Sequence, residues 1–240
     1  MLYRANNKRD RAFISCLYES GGRIGELAGL RIKHVQFNRY GAVLTVDGKT
    51  GMRPIHIVFS APYLEDWLTV HPLRDEQEAP VWILFKGTEQ VAYPALNKML
   101  KTVAKRAGIK KRVYPHLFRH SRSTFLANFL TELQMDEYLG WIPGSSMPKT
   151  YVHLSQKNVL KSLLEVYGLK FKSDEKPILI PVVCTSCGKI NGPTFDSCIQ
   201  CGSNLQDIDS TQFPDSRHEL KTDIKEDEGG CVTLPASGNT

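Results

Sequence analysis

The chain has 240 residues, 41% of them hydrophobic, with a net charge of +6. That is enough to bury one good-sized core with something small attached, and too apolar for wholesale disorder. No apolar run reaches the ~20 residues of a membrane span, and MLYRANNKRDRAF lacks a signal-peptide core, so a cytoplasmic protein with no membrane partner is expected. The charge is divided unevenly. Residues 1–172 carry 26 Lys/Arg against 14 Asp/Glu, and residues 173–240 carry 5 against 11. A basic body points to a polyanion, most often nucleic acid, although charge alone is also compatible with ordinary solubility.

In chain order, residues 9–20 place Ala12, Phe13, Cys16 and Leu17 on one helical stripe that Gly21 and Gly22 stop. A short helix through Glu26 and Leu27 follows. AVLTV (42–46) and PIHIV (54–58) are β-branched and flank DGKTG, which reads as a hairpin. PYLEDWLTV reads as a helix, and VWILF as a buried strand or a short apolar link. Residues 94–108 form an amphipathic helix with proline at its start, glycine at its stop, and Leu96, Met99, Leu100, Val103 and Ala107 on one face. Residues 116–130 form another. Residues 155–168 have a serine N-cap, a glycine stop and an apolar face of Val159, Leu160, Leu163, Leu164 and Tyr167. The fold class expected is mainly α with a small antiparallel β-sheet.

Several side chains carry possible chemistry. Arg23 follows two glycines where a helix begins, a place from which a guanidinium fork can hold a phosphate, or simply face solvent from a turn. Lys49 lies at the hairpin tip. It is not a P-loop lysine, since Val43 stands where that motif needs glycine. It can instead protonate a leaving oxygen, or simply be a solvated turn lysine. HLFRH sets His116 and Arg119 on one helix face, with Arg122 continuing the stripe toward a DNA backbone. Trp141 offers one N–H donor on a large apolar body. Tyr151, after a loop broken by Pro143, Gly144 and Pro148, has a phenol with pKa near ~10 that attacks only with help.

Together these motifs resemble the catalytic domain of the tyrosine recombinase (phage integrase) family, of the archaeal-type integrases. GGRIGEL, GKT, HxxRH, LGW and a tyrosine in a TYVH context occur in that family's order over about residues 8–168. Trp141 stands where many members have histidine. The resemblance implies the tyrosine recombinase catalytic fold and DNA cleavage and rejoining through a covalent 3′-phosphotyrosine. It assigns the scissile phosphate to Arg23 and Arg119, assistance to His116 and Trp141, general acid to Lys49 and nucleophile to Tyr151. Such chemistry needs no metal or ATP. It also implies double-stranded DNA and further protomers, in a tetrameric synapse, as partners. Members carry a separate core-binding domain before the first arginine, and only 22 residues precede Arg23, so that domain is expected to be absent.

KMLKTVAKRAGIKKR (98–112) has seven Lys/Arg, of which Lys105, Arg106, Lys110, Lys111 and Arg112 are taken as phosphate-backbone contacts. A solvated helix face competes with that reading, above all for Lys98 and Lys101.

Past a linker at 173–180, Cys184, Cys187, Cys198 and Cys201 form CxxC-x10-CxxC, the spacing of a four-thiolate zinc ribbon over 181–206. Four thiolates leave no open position, so the zinc is structural. The ribbon's role is left open, its acidic surroundings leaning toward protein contacts. The acidic stretch 207–240 is expected to be disordered, and neither Cys16 nor Cys231 has a visible role. The competing readings are a non-catalytic DNA-binding remnant, a zinc-ribbon adaptor needing a partner domain, and a type IB topoisomerase. The first should have lost active-site residues, and the second leaves the ordered boxes unexplained.

Overall fold

The same two periodicities organise the computed structural model, which describes residues 1–48, 51–152, 163, 167 and 179–206. Helix α1 (Lys8–Ser20) starts where the Asn7 side chain accepts from the Asp10 amide at 2.7 Å, and ends at Gly21 in the left-handed region. Its stripe buries Ala12, Phe13, Cys16 and Leu17 completely. Phe13 meets Trp82 edge to face at 5.1 Å. Helix α2 (Ile24–Ala28) follows, then three antiparallel strands: β1 (Val35–Asn38), β2 (Gly41–Gly48) and β3 (Gly51–Ile57). Their order is β1-β2-β3, with Val35 opposite Leu44 and Val46 opposite Arg53. Alternation sends Ala42, Leu44, Val46, Ile55 and Ile57 into the core. β1 is an edge strand whose residues are mostly exposed, so it carries little of the alternation that marks its neighbours.

Helix α3 (Ala61–Thr69) packs across α1. The turn into it is held by Glu19, a buried carboxylate that accepts from the amides of Val58, Phe59 and Ser60 and from the Ser60 hydroxyl. VWILF is the apolar link of the two alternatives. Val81, Trp82 and Ile83 are buried, only Ile83 makes a single bridge to Gln90, and Leu84 and Phe85 turn outward. Helix α4 (Tyr93–Arg106) buries Leu96, Leu100, Val103 and Ala104. Helix α5 (Pro115–Leu126) stops short of residue 130, because a turn follows and Thr131 caps α6 (Glu132–Leu139) through a reciprocal pair with Gln134. Helix α7 (Met147–Val152) has Pro148 in its first turn, so that proline opens a helix rather than breaking a loop.

The ribbon is β4 (Val182–Val183) paired with β5 (Ile190–Asn191) around the four cysteines. It does not hang free. Tyr63 of α3 is 1% exposed, with its hydroxyl 2.7 Å from Thr194 Oγ1 and its ring 4.7 Å from Phe195. Lys189 pairs with Glu65 at 2.7 Å. The ribbon's role was left open from the sequence, with a lean toward protein contacts; among the described residues it packs on the chain's own third helix. No helix among the described residues is long and apolar enough to cross a membrane. Lys49, the helix expected at 155–168 apart from residues 163 and 167, all of the linker before residue 179, the tail and Cys231 lie outside the described residues.

Candidate active site

Two helix ends and two helix faces converge on one point. Arg119, on α5, is 7% exposed, and its guanidinium donates to the carbonyls of Gly21 at 2.8 Å and Leu139 at 2.7 Å. Those carbonyls end α1 and α6, so the arginine is aimed by backbone rather than by a carboxylate. Burial, and then the neighbouring Arg23 cation, lower its pKa to about 10, which leaves it charged at neutral pH. Two cations close together and only partly compensated make a seat for an anion.

Arg23 precedes α2, and its own helix supplies its brace. Glu26 accepts from the Arg23 amide at 2.9 Å and from its guanidinium at 2.8 Å. The same carboxylate accepts from Arg53 of β3 at 2.9 and 3.2 Å. Arg53 was not singled out from the sequence. Its signal was a charge on the inward phase of a strand otherwise filled by Ile55 and Ile57. It sits against Gly140, where an added Cβ would come within 2.5 Å of the Arg53 guanidinium carbon; with φ at 63°, no side chain fits that position easily. The glycine of LGW is thus tied to the first arginine box.

Burial alone would raise the Glu26 pKa, but hydrogen bonds from Arg53 and Arg23 outweigh it and hold the carboxyl below its usual 4.5. A depressed pKa stabilises the fold above the unfolded value and loses that contribution as pH falls through 4.5 and below. The side chains of Glu26 and Arg53 are 4% and 10% exposed, so Glu26→Gln should cost about 3–5 kcal/mol in urea unfolding at pH 7. The gap to the unaltered chain should narrow as pH drops below 4.5. A pH-independent gap would show that the ion pair is not its source.

Tyr151 on α7 is 6% exposed. Its ring stacks on Trp141 with centroids 5.6 Å apart and planes 9° from parallel, and the Arg119 guanidinium lies 5.4 Å from the Trp141 ring. Ala127, Met135 and Leu139 complete this small apolar bed. The phenol pKa is raised by burial, with Arg119 and the Ser123 hydroxyl pulling it down without reversing the shift. Ser123 is fully buried, and its Oγ makes no hydrogen bond of full geometry among the described residues, so its influence on the phenol is that of a near neighbour. The phenol oxygen lies 2.5 Å from Nδ1 of His120. His116 is exposed, one turn earlier, its ring 6.4 Å from that of His120.

Arg23, Arg119, Trp141 and Tyr151 therefore meet, and His116 lies at the margin. Lys49 lies outside the described residues, and Gly48 packs against Glu26 and Arg53. Arg122 turns back into the protein. Its Nε donates to the Glu19 carbonyl at 2.8 Å, and its guanidinium lies 5.3 Å from the Phe125 ring. Lys105, Arg106, Lys110, Lys111 and Arg112 are exposed, and all but Arg106 line a concave basic surface at the end of α4.

The phage integrase family model matches residues 1–158. The chain belongs to the phage integrase family. Among members of that family, the tyrosine recombinase XerC of Haemophilus influenzae (strain PittEE) is 27% identical over 160 residues, covering 66% of this chain and 52% of XerC. XerD of Lacticaseibacillus casei is 30% identical over 164 residues, covering 63% and 53%. The chain spans about half the length of the curated relatives it matches. A crystal structure of XerA recombinase superposes with a TM-score of 0.55 at 23% identity, covering 71% of this chain and 62% of that one. XerH bound to its palindromic difH substrate in a post-cleavage complex gives 0.52 at 20%, covering 67% and 46%. These likenesses show a shared fold, mostly helical with small antiparallel sheets.

All four thiol sulfurs of the ribbon lie within 4.8 Å of one another, and the pairs Cys184–Cys201 and Cys187–Cys198 stand 3.6 Å apart. A tetrahedron with ~2.3 Å zinc–sulfur bonds has edges of ~3.8 Å, so the cluster could hold a metal ion of that kind. Asn191, fully buried, braces it by donating to the Lys189 carbonyl and toward Cys198 Sγ while accepting from the Ile199 amide.

Proposed function

We propose that this chain carries out site-specific DNA recombination by cutting and rejoining DNA strands through a 3′-phosphotyrosine. The observation that carries it is the Tyr151 hydroxyl beside Arg119, an arginine that is aimed by carbonyls, neighbours the Arg23 cation and carries no carboxylate partner among the described residues.

In this reading Arg23 and Arg119 bind the scissile phosphate and neutralise the charge that grows on it in the transition state. Tyr151 attacks phosphorus, and the bond to the 5′-oxygen breaks. Trp141 walls the site and stacks the nucleophile. His116 assists from the rim, and Lys49 protonates the leaving oxygen. The energy of the broken bond stays in the protein–DNA link, so a second 5′-hydroxyl can reverse the step without ATP. The substrate is double-stranded DNA, and recombination between two sites calls for further protomers on the DNA. Lys105, Arg106, Lys110, Lys111 and Arg112 contact the backbone. They supply salt-dependent affinity rather than sequence choice. Arg122 adds reach to them only by giving up its Glu19 contact. The four cysteines hold a structural zinc that supplies no chemistry to the reaction. The compartment is the one that holds the DNA, the cytoplasm.

Covalent trapping tests this. On nicked duplexes, whose short 5′-hydroxyl fragment diffuses away after cleavage, the protein should form an SDS-resistant adduct. Peptide mapping should find the nucleotide on Tyr151. DNA binding with no adduct on any duplex in a random pool would refute the enzymatic reading and favour a DNA-binding remnant.

A further inference from the structure

We propose that His120 is the group that takes the proton from Tyr151 as it attacks, an inference that rests on the recombinase reading above. The geometry starts from α5. His120 directly follows Arg119 on α5, the helix that packs against α7. Its Nδ1 lies 2.5 Å from the Tyr151 oxygen, hydrogen-bond distance to the reacting atom itself. The rings are 6.1 Å apart and tilted by 36°, so the contact is made edge-on through the nitrogen and not by stacking. His116, the histidine singled out in the sequence, has its ring 6.4 Å from that of His120.

The need for such a group is physical. The phenol is buried on an apolar bed, and burial pushes its pKa up. A free phenolate is therefore disfavoured before attack, and deprotonation must accompany bond formation. A neutral imidazole with its proton on Nε2 presents the Nδ1 lone pair to the phenolic O–H. As the tyrosine oxygen bonds to phosphorus its proton passes to Nδ1, giving an imidazolium. The phosphorus–5′-oxygen bond breaks, and that oxygen takes up one proton from Lys49. In rejoining, a 5′-hydroxyl attacks and gives its proton back to Lys49. The tyrosine oxygen leaves and recovers its own proton from His120. Each proton returns to its origin and no oxidant or metal enters. The rings next to the imidazole are those of His116 on its own helix and Tyr151 on α7.

Cleavage of the nicked duplex by His120→Ala and His120→Gln tests the assignment. His120→Ala should cleave about 10²–10⁴-fold more slowly, the range of a lost general base. Its DNA affinity should be unchanged. Because His120 is exposed, added imidazole can enter the gap and should restore part of the rate. Glutamine can still hydrogen-bond the phenol but cannot carry its proton, so His120→Gln should stay slow. A His120→Ala rate within about twofold of the unaltered chain, a fast His120→Gln, or no rescue by imidazole would each overturn the proposal. An unaltered chain that forms no adduct counts against the recombinase reading instead. The histidine is then judged on the DNA-free protein by ring nitrogen NMR. An Nδ1 acceptor whose signal moves in Tyr151→Phe supports the contact, and an indifferent one overturns it.

Discussion

Tyr151→Phe should fold, bind DNA with the affinity of the unaltered chain, and form no covalent adduct. The substitution removes one oxygen and keeps the ring, so the 5.6 Å stack on Trp141 and the apolar bed of Met135 and Leu139 survive. What is lost to the fold is one partly buried hydrogen bond to His120, about 1 kcal/mol. What is lost to the proposed chemistry is the nucleophile. Removing a covalent nucleophile from an enzyme costs about 10⁶-fold, because the surviving cations can still hold the phosphate but nothing attacks it. Adduct yield on nicked duplexes and thermal unfolding, read side by side, separate the two. An adduct that persists in this variant means another residue attacks. A variant that loses both adduct and fold decides nothing about chemistry, and the retained ring is what makes that outcome unexpected.

Removing the metal should cost the ribbon its fold and the body part of its stability. The unaltered chain should carry one zinc, released by chelation or by Cys198→Ser. A ribbon of this size has almost no core beyond Cys184, Cys198 and Leu205, so a bound zinc would supply most of its folding free energy, about 10–16 kcal/mol in comparable sites. The body feels this through α3. With the ribbon unfolded, Tyr63 loses its Thr194 partner and its edge contact with Phe195, together about 2 kcal/mol. The Lys189–Glu65 pair is partly exposed and adds at most about 1 kcal/mol. The melting temperature of the body should fall by about 4–8 °C. Zinc analysis finding no metal would remove the premise. A body whose melting temperature ignores chelation would show that the ribbon's packing on α3 contributes nothing to stability.

The sequence by itself determined the parts whose information is local. Helical stripes named α1 and α4 nearly to their ends, because core burial follows the 3.6-residue period. The hairpin of β2 and β3 was legible from β-branched runs around a glycine loop. The CxxC spacing carried the four-cysteine cluster whole, since a knuckle is a local turn. The ordered boxes were enough to point to the family that the comparison over residues 1–158 establishes. The tertiary structure decided what depends on side chains distant in sequence. Arg119 reaches Gly21 and Leu139, 98 and 20 residues away, and no window of sequence displays those carbonyls. Arg53 joins Glu26 across 27 residues, visible beforehand only as a charge on the wrong phase of a strand. His120 stood in plain view inside HLFRH, yet a helix offers both histidines. Only the approach of α7 selects which one meets the tyrosine. The ribbon likewise carries its own fold in its cysteines, but the surface it packs on is set by Tyr63, 131 residues from Thr194. Periodicity and spacing are properties of neighbours along the chain. A site is a meeting of segments, and it is fixed by how their buried faces pack.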